Sequence, residues 1–111
     1  MDINEALSAF GSLSQETRLK TFKLLVEYGQ DGCAATVLSA KLHVPQNTLS
    51  FHLSHLSNAG LVNSKRQGRS IIYYANLNSM EELMDYMAEN CCTHSDADCL
   101  ASGRINKKTT G

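Results

Sequence analysis

The chain has 111 residues, 42% hydrophobic and 19% charged, with a net charge of −1. That length suits one small domain, and the composition excludes a disordered chain. No apolar run approaches the ~20 residues of a membrane helix, and the opening "MDINEALSAF" has two acids and no base, unlike a signal peptide, so a cytoplasmic protein is expected.

Residues 2–10 read as a helix with Ile3, Ala6, Leu7 and Phe10 along one apolar side. Ser14 offers an N-cap for a second helix, with Glu16 and Thr17 in its first turn. Leu19, Phe22, Leu25 and Val26 form the buried side of that helix, and Gly29 ends it ahead of the turn cluster "GQDG". A third helix covers roughly 35–42, burying Val37, Leu38 and Leu42. After "HVPQN", Pro45 suits the first position of a fourth helix, about 45–58, whose Leu49, Leu53 and Leu56 recur at i, i+4 and i+7. Gly60 is placed to stop it. Two short helices joined by so tight a turn make a helix-turn-helix.

"LVNSKRQGRSIIYYANL" then changes character, with two Val/Ile/Tyr-rich runs flanking "RQGR". This reads as a β-hairpin with Gly68 in its turn. Helical periodicity returns from 79 to about 91, through Met80, Leu83, Met84, Met87 and Ala88, and its next step is Cys91. The residues after 92 have little periodicity, so 1–92 is expected to be the domain and 93–111 a flexible tail. Five helices with a two-stranded hairpin, mainly α, add up to a winged helix-turn-helix.

The small net charge conceals a segregation. Residues 1–31 carry −2, residues 32–75 have no acid and carry +4, residues 76–99 carry −6, and 100–111 carry +3. A cationic middle between acidic flanks can set one face against phosphates. With the leucines of the fourth helix turned inward, Asn47, Thr48, Phe51, Ser54 and His55 point outward and Ser50 lies at the margin. Short hydrogen-bonding groups suit base edges and phosphates in a major groove, and Phe51 can meet a thymine methyl or a sugar. Lys65, Arg66 and Arg69 crowd the hairpin tip, as a wing on phosphates or in a minor groove requires. His43 and His52 lack a partner at ligand spacing. His52, near the leucines, reads as a hydrogen-bonded residue at the core's edge.

The segments "LSQETRLKTFKLL", "LSAKLHVPQNTLSFHLSHLSNAGLV" and "RQGRSIIYYAN" resemble the ArsR/SmtB family of metal-responsive repressors. The resemblance spans roughly residues 5–92 and is most specific over 37–75. It implies a homodimer paired through residues 2–10 and 79–91. It further implies binding to a palindromic operator, and release when a metal or metalloid binds. Recognition helices would enter successive major grooves about 34 Å apart. Two known family sites are missing. "DGCAATVL" offers Cys33 without a Cys-x-Cys partner, so Cys33 reads as a small buried residue, and "SMEELMDYMAEN" has no histidine pair. "ENCC" with Cys99 resembles instead the arsenite-binding branch, whose thiols lie at the end of the last helix.

Clustered cysteines in a reducing compartment are more often soft-metal ligands or redox thiols than a disulfide framework. Trivalent arsenic is pyramidal and carries a lone pair, so three sulfurs from Cys91, Cys92 and Cys99 complete it, and antimony behaves alike. His94 could add the fourth ligand that zinc requires, and cadmium or lead would compete for the same thiols. Methylated arsenic could use two of them. Thiol oxidation is a further route to a response, still on a DNA-binding protein. A thiol enzyme would need a cation or a helix N-terminus beside its cysteine; these cysteines follow a helix and sit among acids. A metal-buffering protein without DNA binding would leave the helix-turn-helix and the basic wing unexplained.

Overall fold

The structure, a computed structural model, describes residues 1–95. Helix α1 (Ile3–Leu13) opens on a capping box. The Glu5 amide donates to Asp2 Oδ1 at 2.8 Å and the Asp2 amide donates to Glu5 Oε1 at 2.9 Å. Ser14 caps the end of this helix rather than the start of the next, with its hydroxyl donating to the Gly11 carbonyl at 2.8 Å. Gln15 caps α2 (Glu16–Tyr28) in its place, accepting from the Arg18 amide at 2.9 Å. Gly29, at φ 58°, ends α2 as expected and begins a single 3-10 turn to Asp31.

A strand absent from the sequence reading follows. β1 (Cys33–Ala34) is two residues long and pairs antiparallel with the second strand of the hairpin, Cys33 opposite Tyr73. Gly32, at φ 68°, makes this approach feasible. A Cβ there would lie 2.6 Å from the Tyr74 ring and 2.7 Å from the Tyr73 carbonyl oxygen. Helices α3 (Ala35–Leu42) and α4 (Gln46–Asn58) form the helix-turn-helix. Pro45 is the N-cap of α4 rather than its first residue, and His43 takes the left-handed position that ends α3. Leu49, Leu53 and Leu56 are at most 1% exposed. Gly60, at φ 78°, lets the Leu61 amide return to the Leu56 carbonyl at 3.0 Å and stops α4.

The wing consists of β2 (Val62–Gln67) and β3 (Ser70–Ala75), joined by Gly68 and Arg69. Gly68 has φ 62° at the first turn position, as a type II′ hairpin turn requires. The sheet order is β1-β3-β2, so the wing is rooted in the body by one extra rung. The last helix, α5 (Leu77–Ala88), is capped by Asn76, whose Oδ1 accepts from the Ser79 amide at 3.1 Å. It stops before Cys91, which was expected to be its final apolar position. Glu89 turns extended and Asn90 enters the left-handed region at φ 60°, which asparagine tolerates better than most residues.

The core joins Ala6 and Ala9 of α1, Phe22 and Leu25 of α2, and Leu38, the three α4 leucines, Leu61, Val62 and Leu83. The large apolar residues of the first and last helices lie mostly outside it. Ile3, Leu7 and Phe10 are 60%, 61% and 40% exposed, and Met84 and Met87 are exposed as well. Leu19 and Val37 also face outward, while Val26 and Leu42 are half-buried. Helix α1 meets the body through Ala6, Ala9 and Ser12, small residues that let it lie close. Its large apolar residues and those of neighbouring α5 are left on the surface.

Candidate nucleic-acid interface and thiol site

Asn47, Thr48, Ser50, Phe51, Ser54 and His55 are all exposed on α4, opposite its buried leucines. Phe51 is 66% exposed, its ring edge-on to His52 with centroids 5.8 Å apart. Asn47 Oδ1 accepts from the Thr48 amide at 2.9 Å. The wing residues Lys65, Arg66 and Arg69 are exposed and make no salt bridge among the described residues. Lys65 and Arg66 are neighbours on β2, so their side chains leave opposite faces of the hairpin. The remaining cation of the basic middle, Lys41, sits elsewhere, over the Tyr28 ring at 5.5 Å.

Helix and wing meet in a groove of about 270 Å³ between the start of α3, the start of α4 and β3. Thr36, Gln46, Ser50, Ser70 and Tyr73 line it, with Arg69 as its charged group. Hydroxyls, an amide and one guanidinium around a concave surface suit a phosphodiester backbone. Thr36, Gln46 and Ser70 were not singled out in the sequence. Each lies at the start of an element, a position that periodicity does not flag.

Behind this surface lies a polar node. The Arg18 Nε–H donates to the Ser12 carbonyl at 2.7 Å, and Arg18 Nη1 lies 3.3 Å from His52 Nδ1. One turn further along α4, His55 Nδ1 lies 3.3 Å from Ser12 Oγ. His52 is the half-buried, hydrogen-bonded residue expected. Burial, then the Arg18 charge, then His55 push its pKa below the usual histidine value. His55, expected to point wholly away, is exposed but tethered inward through one ring nitrogen. His43, an exposed helix cap, has no ligating neighbours among the described residues.

Cys91 and Cys92 follow α5 in a run of turns, both partly exposed, with their sulfurs 3.4 Å apart. The Cys91 amide donates to the Ala88 carbonyl at 3.0 Å, and Cys92 stands at φ 62°. Cys91 is a free thiol, and Cys92 is in a disulfide. His94 is exposed. Cys99, with the rest of the expected tail from residue 96, lies outside the described residues. Among the described residues no three His, Cys, Asp or Glu side chains converge on a common point. Cys33 is buried and free, its thiol donating to the Ala34 carbonyl at 3.6 Å, in keeping with a packing role.

A helix-turn-helix domain model matches residues 13–65. An uncharacterized HTH-type transcriptional regulator from Methanocaldococcus jannaschii is 32% identical over 85 residues, covering 77% of this chain and 93% of the relative. The structure resembles an ArsR-like transcriptional regulator from Rhodococcus sp. RHA1, with a TM-score of 0.69 and 26% identity over 96% of this chain and 92% of that one. It also shares its fold with a homodimeric winged helix-turn-helix DNA-binding domain from Mycobacterium bovis, with a TM-score of 0.65 and 19% identity over 86% and 89% of the two chains. These relatives are DNA-binding regulators rather than enzymes, and no helix among the described residues is long and apolar enough to cross a membrane. With an exposed polar helix, a cationic wing and relatives of this kind, the chain belongs to the helix-turn-helix transcriptional regulators, and its winged-helix fold is similar to that of the ArsR-like regulator.

Proposed function

We propose that the protein is an arsenic-responsive repressor that holds its operator as a homodimer and releases it when trivalent arsenic binds Cys91, Cys92 and Cys99. The observation that carries this reading is the pair of sulfurs 3.4 Å apart immediately after α5. Three thiols condense with arsenous acid to give an arsenic trithiolate and three waters, and antimonite reacts alike. The reaction requires all three thiols reduced. The two sulfurs follow the helix that carries exposed Met84 and Met87, and that helix packs against α1, which exposes Ile3, Leu7 and Phe10. A second copy covering that face would pair through residues 2–10 and 79–91, and ligand binding at its margin would alter the spacing of the two recognition helices. A coupling of ~1–3 kcal/mol weakens operator binding about 5–150-fold.

Mass spectrometry of the reduced dimer after anaerobic arsenite, antimonite, zinc or cadmium, with DNA binding followed in parallel, tests the reading. One arsenic bound per chain with release of DNA is expected. Cys91→Ser, Cys92→Ser and Cys99→Ser should each bind DNA normally and fail to release it, and unchanged DNA affinity with arsenite would sink the proposal. A second reading, a thiol-redox-responsive repressor of the same fold, is favoured by the disulfide at Cys92. A peroxide would oxidise one thiol to a sulfenic acid, and a second thiol would displace water to form the bond. Release of DNA by peroxide without metalloid would select that reading.

A further inference from the structure

We propose that Arg18 is a positioning residue for the DNA-reading surface: one guanidinium fastens the end of helix α1 to the flank of the recognition helix α4 through His52. The leucine stripe holds α4 against the body, but apolar contacts are non-directional. Leu49, Leu53 and Leu56 alone therefore leave the rotation of α4 about its axis loosely set. Base-edge hydrogen bonds from Asn47 or Ser50 need that rotation fixed, because their strength falls steeply with distance and angle.

Arg18 supplies the missing direction. It is half-buried and makes no salt bridge among the described residues. Its Nε–H reaches the Ser12 carbonyl, one of the last-turn carbonyls of α1 that lack a helical partner, at 2.7 Å. Nη1 of the same rigid fork meets His52 Nδ1 at 3.3 Å. Ser12 is completely buried, and its hydroxyl engages His55, three residues along α4 from His52. Two ties on successive turns of the same α4 flank set the rotation of that helix relative to α1. A lysine keeps the charge of Arg18 but lacks the planar fork that spans both acceptors. The inference rests on DNA binding alone and is independent of which ligand the thiols take.

The test uses a duplex that the wild-type protein enriches from a random pool, alongside an unrelated duplex. Binding is followed by fluorescence anisotropy, the oligomeric state by sedimentation and the fold by circular dichroism. R18K and H52A should remain folded dimers, bind the selected duplex roughly tenfold more weakly and leave the unrelated duplex unchanged. The R18K/H52A double variant should be no weaker than either single one, because both remove the same tie. H52Q, which keeps an acceptor, should recover binding to within about twofold of wild type. Equal losses on both duplexes, additive losses in the double variant, or H52Q no better than H52A would each overturn the proposal. If R18K does not fold, the contrast between H52A and H52Q on the two duplexes decides it.

Discussion

Helices α1 and α4 carry the same kind of large apolar stripe but turn it in opposite directions, inward in α4 and outward in α1. In α4 the large residues Leu49, Leu53 and Leu56 form the core and small polar groups face out. In α1 the small residues Ala6, Ala9 and Ser12 face in, while Ile3, Leu7 and Phe10 stand exposed, as do Met84 and Met87 of the neighbouring α5. A periodic stripe shows that a helix has an apolar side. It does not show whether that side meets its own chain or another. A grouped apolar surface of this kind on a regulator is the mark of an interface.

The contrast can be broken by paired substitutions, and the largest effect is expected inside α4. Leu53→Ala should cost about 2–5 kcal/mol of stability, the usual cost of truncating a buried leucine, read from urea denaturation. Leu7→Glu should leave the chain's own packing alone and abolish the dimer in sedimentation. The wild-type melting temperature should rise with protein concentration, and that of Leu7→Glu should not. A dimeric Leu7→Glu protein would mean that the α1 stripe is surface without a partner.

A smaller effect is expected on the DNA side. Arg66→Ala removes one exposed cation from the wing and touches no core residue. Binding to all duplexes should weaken about equally, and the slope of log K against log salt should fall by about 1. A change confined to one sequence would instead place Arg66 on a base edge.

Much of this arrangement was legible because strong local signals and tertiary packing agreed. The α4 leucines, the stops at Gly29 and Gly60 and the Gly68 hairpin turn all read correctly for that reason. Errors arose where two caps competed or a long-range partner decided. Ser14 and Gln15 both suit helix ends, and only the hydrogen bonds assign Ser14 to α1 and Gln15 to α2. The two-residue β1 has no strand signal of its own and exists because Tyr73 and Ile72 of β3 supply the ladder. The end of α5 was overrun because the apolar spacing to Cys91 continues after the backbone leaves the helix at Glu89. The exposed polar face of α4 and the basic wing tip were legible in the sequence, whereas Thr36, Gln46 and Ser70, near the starts of their elements, were not. The link from Ser12 to Arg18 to His52 was invisible, since it joins residues of three helices through geometry alone.

The smallest expected effect concerns that link and pH. In the folded chain burial, and then the Arg18 charge, lower the His52 pKa, while an unfolded histidine titrates near ~6.5. The unfolded chain therefore takes up this proton before the folded one does. Stability from the neutral imidazole is fully present above about 6.5 and is lost as pH falls toward the lowered folded value. Protonation would also place a proton on the nitrogen that faces Arg18, turning an acceptor into a second cation. The denaturation midpoint of the wild type should drop between about pH 7.5 and 5.5 more than that of His52→Gln. Titrations of the other groups are common to both proteins and cancel in the difference. Parallel profiles would mean that the Arg18–His52 contact is too weak to report on α4, and would remove one of the two ties that distinguish this helix from α1.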